Sequence, residues 1–237
     1  MQETIFALAS GGGRSAISVF RLSGARSIWA AEILCGAACP ADRKLRLRTV
    51  RHPTDNEPID EALVVAFPEG GSFTGEASAE LHCHGGRAVV TAMAGALASL
   101  DGLRPALAGE FARRALENGR LDLSQVEGIA DLVNAETEAQ RRQAYGGMSG
   151  GLAARADAWR ARLLEALARI EVELDFSDQD LDEGLIAEAV SGLSVVAREI
   201  GAEISRGQSA RLIRDGFTVA LVGAPNVGKS SLLNTIM

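Results

Sequence analysis

The sequence predicts an α+β domain over residues 1–120, an α-helical bundle domain over residues 121–215, and the first β-strand and phosphate-binding loop of an α/β domain from residue 216 onward. Three observations predict that order. Short β-rich runs alternate with helical ones up to about residue 120. Strand signals then give way to apolar residues spaced by threes and fours. Last, a short apolar run leads into a G-x-x-x-x-G-K-S pattern at 223–230.

In the first region "TIFALA", "AISVFRL", "LRLRTVR", "EALVVAF" and "SAELHCH" are rich in β-branched or alternating residues and bounded by Gly, Pro and Asp, so each predicts a strand. "ARSIWAAEILC" and "RAVVTAMAGALASL" have the composition and length of helices. In "LRLRTVR", Arg46 and Arg48 share one side and Leu45 and Leu47 the other. That pattern suits a solvated outer face better than an RNA contact.

In the second region the segment from Ser124, with Glu127 three residues on, predicts a capped helix start. Over 151–176 the apolar residues at 152, 156, 159, 163, 167, 170 and 174 form one stripe of a long helix. "LIAEAVSGLSVVAREIGAEISR" supplies another amphipathic helix, and the set predicts an antiparallel bundle. The acidic stretch "DFSDQDLDEG" (175–184) lacks the spacing of a calcium loop and predicts a solvated turn with an Asp cap.

Bulk properties narrow the function classes. With 237 residues, 47% of them apolar, the chain is long enough for two cores. No run nears the ~18 apolar residues of a membrane span, and the first residues lack a basic stretch before an apolar one, so no secretory signal is predicted. Three cysteines, Cys35, Cys39 and Cys83, suit thiols in a reducing cytoplasm better than bridges. The net charge of −7 falls entirely in residues 121–237, which argues against a general nucleic-acid clamp there.

The loop at 223–230 has its own chemistry. Gly223 and Gly228 let successive backbone N–H groups turn inward toward phosphate, and the following helix start adds partial positive charge. Lys229 suits the β- and γ-phosphates and the Ser230 hydroxyl suits Mg²⁺. "FTVALVG" (217–223) before it reads as a buried parallel strand. The wording "GAPNVGKSSLLN" is narrower than the general pattern and resembles the Era-like, translation-factor-related GTPases.

"FRLSG" (20–24), "FTGE" (73–76), "ELHCHGG" (80–86) and "GEFARRALENGRLDLSQVEGIADLV" (109–133) precede that loop. Together, in this order, they resemble the MnmE (TrmE) family of tRNA-modification GTPases over residues 3–237. The resemblance implies that residues 1–120 form a tetrahydrofolate-binding and dimerisation domain, 121–215 the first part of a helical domain, and 216–237 the start of an inserted GTPase domain, truncated. It implies that Arg21, Glu80 and Arg120 contact a 5-formyl- or methylene-tetrahydrofolate. A carboxylate accepts paired hydrogen bonds from an aminopyrimidine edge, and arginines suit the anionic glutamyl tail. At 120 the family often carries Lys, so Arg keeps the charge and changes the geometry. Asn226, Val227, Gly228, Lys229, Ser230 and Ser231 are implied to hold GTP, with Asn226 on K⁺ and Ser230 on Mg²⁺.

Apart from the resemblance, Arg21 reads as a solvated edge charge, Glu80 as a surface carboxylate and Arg120 as a cation at a helix C-terminus. "HCHGG" puts His82 and His84 on one strand face, leaving open a metal, a folded-in histidine pair or a glycine turn against folate. No switch threonine, D-x-x-G or N-K-x-D follows the loop, and neither tetrapeptide occurs earlier. The expectation is therefore a cytoplasmic chain with no catalytic residues, which binds folate and dimerises without hydrolysing GTP. For the whole family member the resemblance implies a flavin-dependent partner, MnmG, tRNA as substrate, and aminomethyl or carboxymethylaminomethyl transfer to C5 of the wobble uridine. The rival expectation is an Era-like ribosome-assembly GTPase that shares only the loop.

Overall fold

A computed structural model describes residues 3–175, 184–215, 220–224 and 227–236. They fall into two compact units, Met1–Val126 and Glu127–Met237.

The first unit is built on one six-stranded sheet in the order β3-β4-β5-β2-β1-β6. Its strands are β1 (Thr4–Leu8), β2 (Ser15–Ser23), β3 (Arg46–Arg51), β4 (Pro58–Phe67), β5 (Ser78–Gly85) and β6 (Leu103–Pro105). Pairing is antiparallel except between β1 and β6. The five strands expected from alternation are all present. The sixth, three residues ending on Pro105, is too short for a periodic signal and takes the edge position that proline tolerates. Helices α1 (Ser27–Cys35), α2 (Arg87–Ala98) and α3 (Glu110–Glu117) complete the unit.

Alternation sorts the sheet into two faces. Phe20, Leu22, Val64, Leu81 and Cys83 enter a core closed by Ala30 and Leu34 of α1 and Met93 and Leu97 of α2. Their register neighbours Val19, Arg21, Leu63, Glu80 and His82 take the other face. Arg21 therefore lies on an interior strand between β1 and β5 and is no edge charge. On β3 the leucines, not the arginines, are the exposed residues: Leu47 is 60% accessible, while Arg46 and Arg48 are partly covered. The arginines thus take the less exposed side of β3, toward α1, while Arg46 still pairs with Asp42 at the surface.

The second unit is helical: α4 (Leu123–Asn134, begun in the first unit), α5 (Glu138–Met148), α6 (Gly151–Asp175), α7 (Leu185–Asp215) and α8 (Lys229–Ile236). The cap of α4 is Asp122 and not Ser124. Asp122 Oδ1 accepts from Gln125 N–H, and Gln125 Oε1 accepts from Asp122 N–H. The helical segment then breaks, and Thr137 with Gln140 forms a second capping box that starts α5. Helices α6 and α7 run antiparallel, tied by Arg155–Glu203, Arg162–Glu199 and Arg169–Glu188. Their close contact uses Ala166, Ala189 and Val196. The apolar stripe is therefore not the buried face: Leu163, Leu167 and Leu174 are 43–70% accessible. Helix α7 covers one strip of α6, with α5 a smaller neighbour, and here small side chains permit the approach. Of the acidic stretch, 176–183 lie outside the described residues.

Candidate functional site

Arg21 and Glu80 occupy directly paired positions on β2 and β5, so backbone register alone brings them together. Arg21 Nε donates to Glu80 Oε1 at 2.9 Å. The other carboxylate oxygen, Oε2, lies 3.2 Å from His82 Nε2, two residues along the same strand face. Glu80 is 17% accessible and Arg21 32%, so the pair is sheltered but reachable. The guanidinium sits 5.4 Å from the Phe73 ring centroid. Ser72, Phe73 and Thr74 wall a cleft of about 200 Å³ whose floor carries Arg21 and Glu80. An aromatic wall, a carboxylate with spare lone pairs and a cation suit a flat, polar heterocycle with an anionic substituent.

The wall is held from behind by a buried ionic network. Ser23 Oγ meets Thr74 Oγ1 at 2.6 Å and donates to Glu76 Oε2 at 2.5 Å. Arg114, 1% accessible, donates to both Glu76 oxygens, to Glu110 Oε1 and to the Glu3 carbonyl. Arg104 forks onto the Glu110 carboxylate at 2.6 and 2.8 Å. Glu110 is held at about 2, first by Arg104, with the Leu107 N–H and Arg114 adding to it against the opposing effect of burial. Glu76, Glu110 and Arg114 stand in "FTGE" and "GEFARR", yet sequence reasoning assigned them no part. The i, i+4 spacing of Glu110 and Arg114 was the available signal, although on a helix it ordinarily marks a surface pair.

Arg120 does not join the Arg21–Glu80 cleft. It lines a neighbouring one of about 470 Å³ with Gly75, Glu76, Ala77 and Asn118. The 73–76 loop separates the two, Phe73 facing Arg21 and Gly75 facing Arg120. Gly75 has φ +83°, and a Cβ there would stand 2.9 Å from Arg120 Cγ. Arg120 also follows the end of α3, its N–H on the Ala115 carbonyl, so the helix-end reading describes its backbone.

His84 turns from the cleft toward β4, with its N–H and Nδ1 on the two Asp60 oxygens at 2.7 and 2.8 Å. Burial works to raise Asp60, but the His84 and Glu61 hydrogen bonds outweigh it and hold the group low. Among the described residues no three His, Cys, Asp or Glu side chains gather as metal ligands.

At the phosphate-loop pattern, α8 starts at Lys229 as expected, and Gly228 takes φ +88°. Lys229 Nζ donates to the Gly223 and Ala224 carbonyls at 2.9 and 2.6 Å, so its ammonium folds over the loop where a phosphate would compete for it. Val227, Ser230 and Ser231 are exposed; Asn226 lies outside the described residues. So do 217–219 of the expected buried strand, while 220–223 are exposed and belong to none of the six strands. A parallel strand needs neighbours on its edges, and the described residues place none there.

A family model described as GTP-binding protein TrmE N-terminus matches residues 4–120, and one described as MnmE helical domain matches 123–230. Among curated proteins the chain is 52% identical over 234 residues to the tRNA modification GTPase MnmE of Caulobacter vibrioides, covering 99% of this chain and 52% of that protein. It is 49% identical to that of Parvibaculum lavamentivorans and 50% identical to that of Cereibacter sphaeroides, with 99% of this chain and 53% and 54% of theirs covered. The chain spans about half the length of the curated relatives it matches.

Proposed function

This chain belongs to the MnmE (TrmE) family of tRNA modification GTPases, and on that premise we propose that its first unit binds a tetrahydrofolate one-carbon donor in the cleft floored by Arg21 and Glu80. The observation that carries the reading is the paired Arg21–Glu80 position beneath Phe73. The pterin edge donates to Glu80, its ring lies against Phe73, and Arg21 steadies the carboxylate. Arg120, across the 73–76 loop, suits the anionic glutamyl tail, since a long ligand can pass from one cleft to its neighbour. Both clefts are open to solvent, as a folate that donates its carbon to another molecule requires.

The sheet face bearing Arg21 and Glu80 also leaves Ile17, Leu47 and Leu63 at 60, 60 and 42% accessible. That supports homodimerisation through the first unit, with a second copy covering these side chains. Val227, Gly228, Lys229, Ser230 and Ser231, with Asn226, form the phosphate-binding part of a GTP site. Lys229 there exchanges loop carbonyls for phosphate oxygens, Ser230 takes Mg²⁺ and Asn226 takes K⁺. In the whole protein this site couples GTP hydrolysis to modification of C5 of the wobble uridine of tRNA, alongside the flavin-dependent partner MnmG, in the cytoplasm. No helix among the described residues is long and apolar enough to cross a membrane.

Calorimetric titration with 5-formyltetrahydrofolate tests the reading. Saturable binding that is lost in Arg21→Ala and in Glu80→Ala supports it. A folded, dimeric protein that takes up no folate would overturn it and reopen the ribosome-assembly alternative.

A further inference from the structure

Two of the chain's three histidines, His82 and His84, stand two residues apart on one face of β5 and are held in opposite ways. His84 turns its Nδ1 to Asp60 Oδ1 at 2.8 Å. His82 turns its Nε2 to Glu80 Oε2 at 3.2 Å, and among the described residues that carboxylate is the one hydrogen-bond partner of the ring. A carboxylate only accepts, so the proton in each contact belongs to the imidazole: Nε2–H on His82 and Nδ1–H on His84.

Glu80 needs that second donor. Arg21 Nε donates to Oε1 at 2.9 Å, and the terminal nitrogen Nη2 makes its charge contact with the same oxygen, also at 2.9 Å. The guanidinium therefore does not fork across the two oxygens. The last torsion of a glutamate side chain is broad, so a grip on one oxygen leaves the plane of the carboxylate free to turn. His82 takes the other oxygen. Its cross-strand partners are Val19 of β2 and Leu63 of β4, aliphatic side chains that offer the ring no competing acceptor, and its side chain is 28% accessible.

We propose that His82 is a positioning residue of the folate cleft, its Nε2–H fixing the Glu80 carboxylate in the plane that accepts two N–H groups from the edge of an aminopyrimidine ring.

This rests on the folate reading above and adds to Arg21 a second anchor of a different kind. One hydrogen bond on each oxygen fixes the plane and still leaves each oxygen a lone pair for the ligand. The task calls for a donor and not for a charge. Glutamine, whose terminal amide carries N–H about as far from the backbone as Nε2 of histidine, can therefore perform it, and alanine cannot.

Calorimetry with 5-formyltetrahydrofolate compares the full chain with its His82→Ala and His82→Gln variants, each melted from the same sample. His82→Ala should bind roughly five- to tenfold more weakly, the loss of one hydrogen bond to a charged group, and His82→Gln within about twofold of the unaltered chain. Both should melt close to the unaltered chain. Equal affinity in His82→Ala would overturn the proposal, as would a His82→Gln variant as weak as His82→Ala. A melting temperature that falls in step with affinity would make the effect structural and overturn it too. Long-range ¹H–¹⁵N correlation spectra of the ligand-free chain, labelled at histidine and recorded at mildly alkaline pH, give a readout in which folate takes no part. Loss of signals in His82→Gln and in His84→Gln assigns the rings. His82 should show the Nε2–H tautomer and His84 the Nδ1–H tautomer; an Nδ1–H tautomer at His82 would overturn the contact. A chain with the expected tautomers that binds no folate would instead overturn the folate reading, and with it this use of the contact, so the two failures are told apart.

Discussion

Arg21 and Glu80 are direct cross-strand partners at the centre of a six-stranded sheet, joined at 2.9 Å although 59 residues separate them in the chain. Arg21 is about one-third exposed, so the pair adds little to stability, roughly 1 kcal/mol or less. Its value is in the cleft. Arg21→Ala should therefore shift the thermal midpoint by only a few degrees while weakening folate binding by at least about tenfold, which is ~1.4 kcal/mol. Calorimetry and a thermal melt on the same sample separate the two effects. A large drop in melting temperature with unchanged affinity would reverse the assignment.

Arg114 is a different kind of charge. It is 1% accessible and neutralises Glu110 and Glu76 at once. Arg114→Met leaves those carboxylates facing one cation fewer in a buried setting, at a cost of about 3–5 kcal/mol. Equilibrium urea unfolding should show the midpoint falling accordingly. The 73–76 loop loses its anchor as well, so folate affinity falls in the fraction that remains folded.

Acid should weaken the first unit through Glu110. Its folded value of about 2 lies below the ordinary 4.5, so the carboxylate contributes stability above about 4.5 and loses it as pH falls toward 2. Glu138, forked between Arg141 and Arg142 on the surface, also sits at about 2. At ~1 M salt the screening length is about 3 Å and that exposed contribution fades, whereas the buried Glu110 contribution persists. Acid titration of urea midpoints at high salt should keep its slope between pH 4.5 and 2, and Glu110→Gln should flatten it.

Gly75→Ala tests whether the loop geometry matters. The residue has φ +83°, and the added methyl meets Arg120 Cγ at 2.9 Å and Asn118 Cβ at 3.2 Å. Left-handed backbone alone costs a non-glycine residue roughly 1–2 kcal/mol, and Arg120 must shift besides. A lower melting temperature with weakened folate binding is the expected outcome. Unchanged binding would detach Arg120 from the ligand.

Much of the fold was legible locally. Alternation in "AISVFRL", "EALVVAF" and "SAELHCH" is a period-two property of each segment, and it sufficed for β2, β4 and β5. The phosphate loop was legible because its glycines, lysine and serine lie within eight consecutive residues. The long-helix pattern over 151–176 gave the existence of α6 but not its packed face, since a periodic stripe says nothing of which neighbour meets it.

Other features depend on residues far apart in sequence meeting in space. Strand order made Arg21 an interior residue, and register put Glu80 opposite it. The chain turn at Gly36 brought the Cys39 N–H back onto the Glu32 carboxylate of α1. Burial then gave Arg114 and Glu110 a weight that their helical spacing did not announce. Residue type and short-range period decide secondary structure because they act within a turn or a strand. Which charges become buried partners depends on long-range closure, and only the packed sheet and helices supply that.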